Sequence, residues 1–144
     1  MRHRLMLAAV SLGLSAGPIA NAVAQDRCIT VRTPSELTEA LNANVDNHRP
    51  TLLYVRADWA INAVLKNDTY IPSIAFLRTI GDTNCVIADI TSFTSSSGNE
   101  LIERFSSDGI PFFTLLNVEK EKIATLRWGR DFYEFKSWFE AVKP

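Results

Sequence analysis

Residues 25–144 read as an α/β domain, a sheet covered by helices on both faces, and three observations carry that reading. Apolar β-forming runs and amphipathic runs alternate in the order β-α-β-α-β-α-β-β-α. Two of the runs, TLLYVR at 51–56 and CVIADI at 85–90, are almost continuously apolar, the pattern of strands buried on two faces. Three helical stretches open on a capping signature, a Ser, Thr or Asp followed three residues later by Glu. Alternation of this kind ending in a hairpin implies layers of helix on either side of one sheet.

Each element has its own local warrant. Cys28–Arg32 is a short first strand. Thr33 can cap the next helix, Pro34 suits its first turn and Glu36 completes a capping box; the helix runs to about Leu41 and buries Leu37 and Leu41. The polar stretch 42–50 is a loop. A helix is expected from near Asn62, interrupted before Pro72 and continuing over Ser73–Ile80 with Ile74, Leu77 and Phe76 inward. The run 91–98, TSFTSSSG, reads as a loop, and Ser97 with Glu100 forms the capping box of a helix through Phe105. Residues 111–116 and 122–126 form a hairpin around 117–121. Asp131 and Glu134 then open a last helix whose Phe132, Phe135, Phe139 and Val142 make one apolar stripe, read as core facing the sheet.

The first 24 residues read differently. Arg2 and Arg4 precede an apolar run of about ten residues, LMLAAVSLGL, and Ala22-Val23-Ala24 follows. That is the pattern of a cleaved export signal, too short for the roughly 20 residues of a membrane span. Lipid attachment at Cys28 is excluded because Gln25-Asp26-Arg27 are not the small residues such a site requires. The expected boundaries are a leader over 1–24 and a domain over 25–144, periplasmic or secreted in a bacterium, with no stable membrane span after cleavage. Without Arg2 and Arg4, 13 basic residues face 16 acidic ones, a formal charge of −3 with no basic stripe. Nucleic acid is therefore excluded as a partner.

The stretch LLYVRADWA (52–60) and the triplet Gly109-Ile110-Pro111 before a strand, together with the element order, resemble the thioredoxin fold. The resemblance is nearest to the C-terminal periplasmic domains of thiol:disulfide interchange proteins of the DsbD type, and it covers Cys28 to Pro144. It implies a central mixed sheet with helices on both faces. Those domains carry Ala-Asp-Trp-Cys-x-x-Cys-Lys after the second strand; here the stretch is Ala57-Asp58-Trp59-Ala60-Ile61-Asn62-Ala63-Val64. The resemblance therefore places Ala60 and Ala63 where the family has its reactive cysteines. A thiolate attacks and a second thiol resolves in dithiol exchange, and alanine can do neither. Two further positions depart from the pattern: Tyr54 stands where the family often keeps a buried acid, and Val64 where it often has lysine. Departures at several linked positions favour natural loss of the centre over an engineered Cys-to-Ala form, which stays open as an alternative.

What the resemblance leaves is a docking face. It implies a cis Pro111 beside the former redox loop, with backbone that pairs with an extended peptide. Trp59, Ile61, Ile110 and Pro111 are the candidate partner-binding residues, with a purely packing role for Trp59 and Pro111 as the rival reading. In the same topology Cys28 and Cys85 open neighbouring parallel strands about 4.8 Å apart, within the roughly 4.4–6.8 Å that a disulfide spans. A Cys28–Cys85 bridge is expected, suited to an oxidising compartment, as a staple rather than a relocated redox pair.

Other chemistries lack their residues. His48 is the one histidine after the leader and sits in the polar loop VDNHRP, so no metal site and no cofactor is expected. There is no phosphate-binding glycine loop and no nucleophile elbow. The expected function is an exported, non-catalytic protein-binding, chaperone-like or assembly module with a protein or extended-peptide partner. The alternative is an oxidoreductase using Cys28 and Cys85.

Overall fold

The computed structural model describes residues 27–43, 47–60, 69–105, 109–127 and 131–144. The expected leader (1–24), the helix expected from Asn62, and Ile61 and Ala63 lie outside the described residues. Among the described residues the elements are β1 (Cys28–Val31), α1 (Pro34–Ala43), β2 (Thr51–Arg56), a 3-10 turn (Asp58–Ala60), α2 (Ile74–Ile80), β3 (Asn84–Asp89), α3 (Ser95–Phe105), β4 (Phe112–Leu116), β5 (Lys122–Arg127) and α4 (Phe132–Val142). The strands form one sheet in the order β1-β3-β2-β4-β5. β1, β3 and β2 are parallel, β4 is antiparallel to β2, and β5 is antiparallel to β4. The expected α/β class with a mixed sheet is what the structure has.

Alternation along the central strands divides the core. Leu53 and Val55 of β2, with Val86 and Ala88 of β3, join Leu37, Leu41, Leu101 and Phe105 on the α1/α3 side. Leu52 and Tyr54, with Cys85 and Ile87, join Phe76, Ile80, Phe135 and Phe139 on the α2/α4 side. Successive strand side chains point to opposite faces, so two buried faces explain why β2 and β4 are apolar at nearly every residue.

The helix starts follow side-chain chemistry. The Glu36 N–H donates to Thr33 Oγ1 at 3.1 Å, and the Glu36 carboxylate accepts from the Arg32 N–H at 2.7 Å. This is a capping box whose return bond lands one residue before the cap. The α3 start differs from expectation: Thr94 is the cap, accepting from the Ser97 N–H at 3.2 Å, and half of the supposed loop is helix. Thr94 and the serines after it can all cap, and starting at Ser95 still turns Leu101 and Phe105 inward. In α2, Ser73 is the cap rather than part of the helix, accepting from the Phe76 N–H, and Ile74, expected inward, is 45% exposed. Phe76 and Ile80, four residues apart, form the buried face, and Ile74 lies about 200° round the helix from Phe76. Asp131 caps α4, accepting from the Glu134 N–H at 2.9 Å, a bond of a type worth about 1 kcal/mol. The β4–β5 hairpin closes through Asn117, whose N–H donates to the Glu121 carbonyl at 2.8 Å.

Candidate functional site

The site is built where β2 ends. Ala57 is fully buried, which brings the backbone close to the core and leaves no side chain to fill the bend. The chain then makes one 3-10 turn, closed by the Ala60 N–H donating to the Ala57 carbonyl at 3.1 Å. Trp59, on this turn, is 63% exposed. Ala60 is half-buried against the α1/α3 core.

Across the sheet, Val55 pairs with Phe112 in the antiparallel β2–β4 register. The next step along that register sets Pro111 beside Arg56, next to the turn. The Ile110–Pro111 peptide is cis. Gly109, just before it, has φ of +95°, a backbone region that glycine enters readily. Ile110 and Pro111 are both buried. Of the candidate partner-binding residues that are described, Trp59 has its side chain in solvent, Ile110 and Pro111 are buried, and Ile61 is outside the described residues. A groove of about 290 Å³ runs from Trp59 to the start of α3, lined by Ile90, Phe93, Thr94, Gly98 and Ile102. Sequence reasoning missed this groove, because its lining joins Trp59 to residues 90–102, which no local motif connects to it.

A group of charges at the same end of the sheet was also missed. Arg56 and Asp89 are register partners on β2 and β3. The Arg56 Nη1 donates to Asp89 Oδ2 at 2.8 Å, and its Nη2 donates to Asp58 Oδ1 at 2.8 Å. Burial would raise the Asp89 carboxyl, but the hydrogen bonds from the Thr91 hydroxyl and N–H, together with Arg56 and Arg32, outweigh it and hold Asp89 below the ordinary value. A carboxylate lowered in the folded state stabilises above its unfolded pKa, and that contribution is lost as pH falls through the folded pKa. Asp89→Asn should accordingly flatten the acid limb of a Tm-against-pH curve below about pH 5, where an unfolded aspartate begins to take up its proton, with little change of slope near pH 7. An unchanged acid limb would show that Asp89 is not one of the groups governing it.

Tyr54, at the position where the resemblance expects an acid, is buried and stacked on Phe113 with ring centroids 4.8 Å apart. Burial first, then the neighbouring Tyr54, Glu134 and Asp131, push the Tyr70 phenol above its ordinary value, so it stays neutral in biological conditions.

The two cysteines lie elsewhere. Cys28 and Cys85 are direct register partners on β1 and β3, bonded with an S–S distance of 2.06 Å and a Cα separation of 4.6 Å. They are 6% and 4% exposed. Leu52, not Arg56, pairs with Cys85 on β2. The bridge therefore sits four strand residues, roughly 13 Å, from the end of the sheet that carries Trp59. Among the described residues, no group of three or more His, Cys, Asp or Glu could hold a metal ion, and no helix is long and apolar enough to cross a membrane.

Comparison with known proteins agrees with this architecture. No family model matches the chain. The chain is 31% identical over 96 residues to the thiol:disulfide interchange protein DsbD of Pseudomonas fluorescens, a match covering 66% of this chain and 16% of that protein's length. The oxidised C-terminal domain of Neisseria meningitidis DsbD superposes with a TM-score of 0.67 at 16% identity, covering 79% of this chain and 99% of that one. A thioredoxin from Thermus thermophilus superposes with a TM-score of 0.63 at 19% identity, covering 81% and 87%. The chain is a thioredoxin-fold protein, close in sequence and in structure to the C-terminal domain of DsbD.

Proposed function

We propose that this chain is an exported, periplasmic thioredoxin-fold domain that binds a protein or extended peptide at its Trp59 face and performs no dithiol exchange there. The observation that carries the reading is the turn Asp58–Ala60, which presents an exposed indole and, directly after it, a methyl group in place of a nucleophile. The chain has two cysteines, and both are spent in a buried bridge away from this turn. A thiolate must reach a disulfide sulfur to exchange with it, and burial of both sulfurs restricts that approach. Export is supported by the leader pattern of residues 1–24 and by the bridge itself, which persists in oxidising compartments.

Trp59→Glu tests the binding face. It should reduce capture of a reduced, carboxymethylated model polypeptide by about tenfold or more, the scale of losing a central aromatic anchor, while leaving Tm nearly unchanged because the side chain is exposed. Capture that survives the change refutes the Trp59 face. A charged residue at Ile110 is unsuitable, because that side chain is buried.

The second reading, an oxidoreductase cycling Cys28 and Cys85, is favoured by the presence of the bridge and by the interchange activity in the name of the DsbD relative. Scoring free thiols in denaturant across a redox titration separates the two. Reduction only below about −300 mV is the behaviour of a structural disulfide, whereas a midpoint between about −120 and −230 mV is that of a working exchange centre.

A further inference from the structure

Trp59 is 63% exposed and meets the protein along one side, at the groove it shares with α3, so the direction of its side chain depends on how the backbone of its turn is held. That backbone is held by a closed circuit of four residues. The Asp58 N–H donates to Thr91 Oγ1 at 2.8 Å. The Thr91 hydroxyl donates to Asp89 Oδ1 at 2.5 Å, and the Thr91 N–H donates to the same oxygen at 3.1 Å. Asp89 Oδ2 accepts from Arg56 Nη1, and Arg56 Nη2 returns to Asp58 Oδ1, each at 2.8 Å. Asp58 is thus gripped twice, at its amide and at its carboxylate, immediately before Trp59.

The direction of the circuit is set by chemistry. A threonine hydroxyl has a single proton to give. Because Thr91 Oγ1 accepts from the Asp58 amide, that proton goes to Asp89, which receives it as a carboxylate. Arg56 can span two carboxylates because its planar guanidinium offers several donors in a fixed fork. Its side chain and that of Asp89 are largely buried, at 17% and 15% exposure, so solvent competes weakly for the Arg56–Asp89 bond, whereas the Asp58 carboxylate at the other end of the fork is 68% exposed.

We propose that Arg56, Asp89 and Thr91 are positioning residues that aim Trp59 by clamping Asp58, so that the shape of the binding face is set by the ends of β2 and β3. The proposal rests on the reading of Trp59 as the docking residue, and it adds which residues make that indole available in one orientation.

Thr91→Val and Thr91→Ser test it on the full chain. Valine keeps the shape and removes both hydroxyl bonds, whereas serine keeps the hydroxyl. In Thr91→Val, hydrogen exchange at the Asp58 amide should accelerate on the order of five- to tenfold, the effect of one lost hydrogen bond. The Trp59 indole N–H resonance, assigned by its disappearance in Trp59→Phe, should shift and broaden. Thr91→Ser should restore both, and Arg56→Met should repeat the indole change. An Asp58 amide and a Trp59 resonance that are unmoved in Thr91→Val overturn the proposal, whether or not Arg56→Met folds. These readouts need no partner. If they behave as expected while Trp59→Glu leaves polypeptide capture intact, the clamp stands and the docking reading alone falls.

Discussion

Replacing both Cys28 and Cys85 with alanine is expected to lower the free energy of unfolding by about 3–4 kcal/mol and Tm by roughly 10–20 °C. The residues are 57 apart in sequence, and a cross-link over that span removes much loop-closure entropy from the unfolded chain. The bridge also ties β1, an edge strand of four residues, to the interior strand β3. Both sulfurs are packed among the apolar side chains of the α2/α4 side, so the double variant loses core contacts as well. Urea unfolding of the oxidised protein and the variant gives the comparison. A difference below about 1 kcal/mol would mean that β1–β3 pairing holds without the cross-link, and would weaken the case for a staple. Because the bridge lies at the far end of the strands from Trp59, the variant's residual folded fraction should still capture polypeptide at that face.

The second large effect belongs to Phe135. It is fully buried, and its ring lies 4.8 Å from Phe113, 4.9 Å from Phe76, 5.8 Å from Phe139 and 6.1 Å from both Tyr70 and Trp138. Phe135→Ala should cost about 3–5 kcal/mol, because surrounding rings held by three separate elements cannot collapse into the space left behind. Phe132→Ala, one turn earlier on the same helix and only half-buried, should cost markedly less. Equal losses at the two positions would show that α4 docks along its whole stripe rather than through a ring cluster centred on Phe135. The effect reaches the site indirectly. Phe113, packed against Phe135, belongs to the strand that follows cis Pro111, so loosening this cluster loosens the strand on which the cis peptide is mounted.

Much of the fold was legible because its elements are locally consistent. The strands 51–56 and 85–90 declare two-sided burial by composition, and the hairpin at 117–121 and the caps at Thr33 and Asp131 declare themselves by residue type and spacing. The misread elements have equally local reasons. In TSFTSSSG several residues can cap a helix, and residue type and spacing alone do not choose Thr94 among them. Ile74 is apolar, yet it sits on the outer side of a two-turn helix whose inner face is fully supplied by Phe76 and Ile80.

The sequence by itself determined the element order, the resemblance to the thioredoxin fold and the absence of sulfur at positions 60 and 63, because these depend on residue identity and short-range spacing. Tertiary structure alone decided which side chains meet. Cys28 faces Cys85 through strand register, Ile110 lies under the surface rather than on it, and Asp58 closes a circuit with Arg56, Thr91 and Asp89. That last arrangement spans 36 residues from Arg56 to Thr91, and no periodicity or motif links them. The parallel pairing of β2 with β3 brings them together, since adjacent strand ends set side chains about 5 Å apart whatever their separation along the chain.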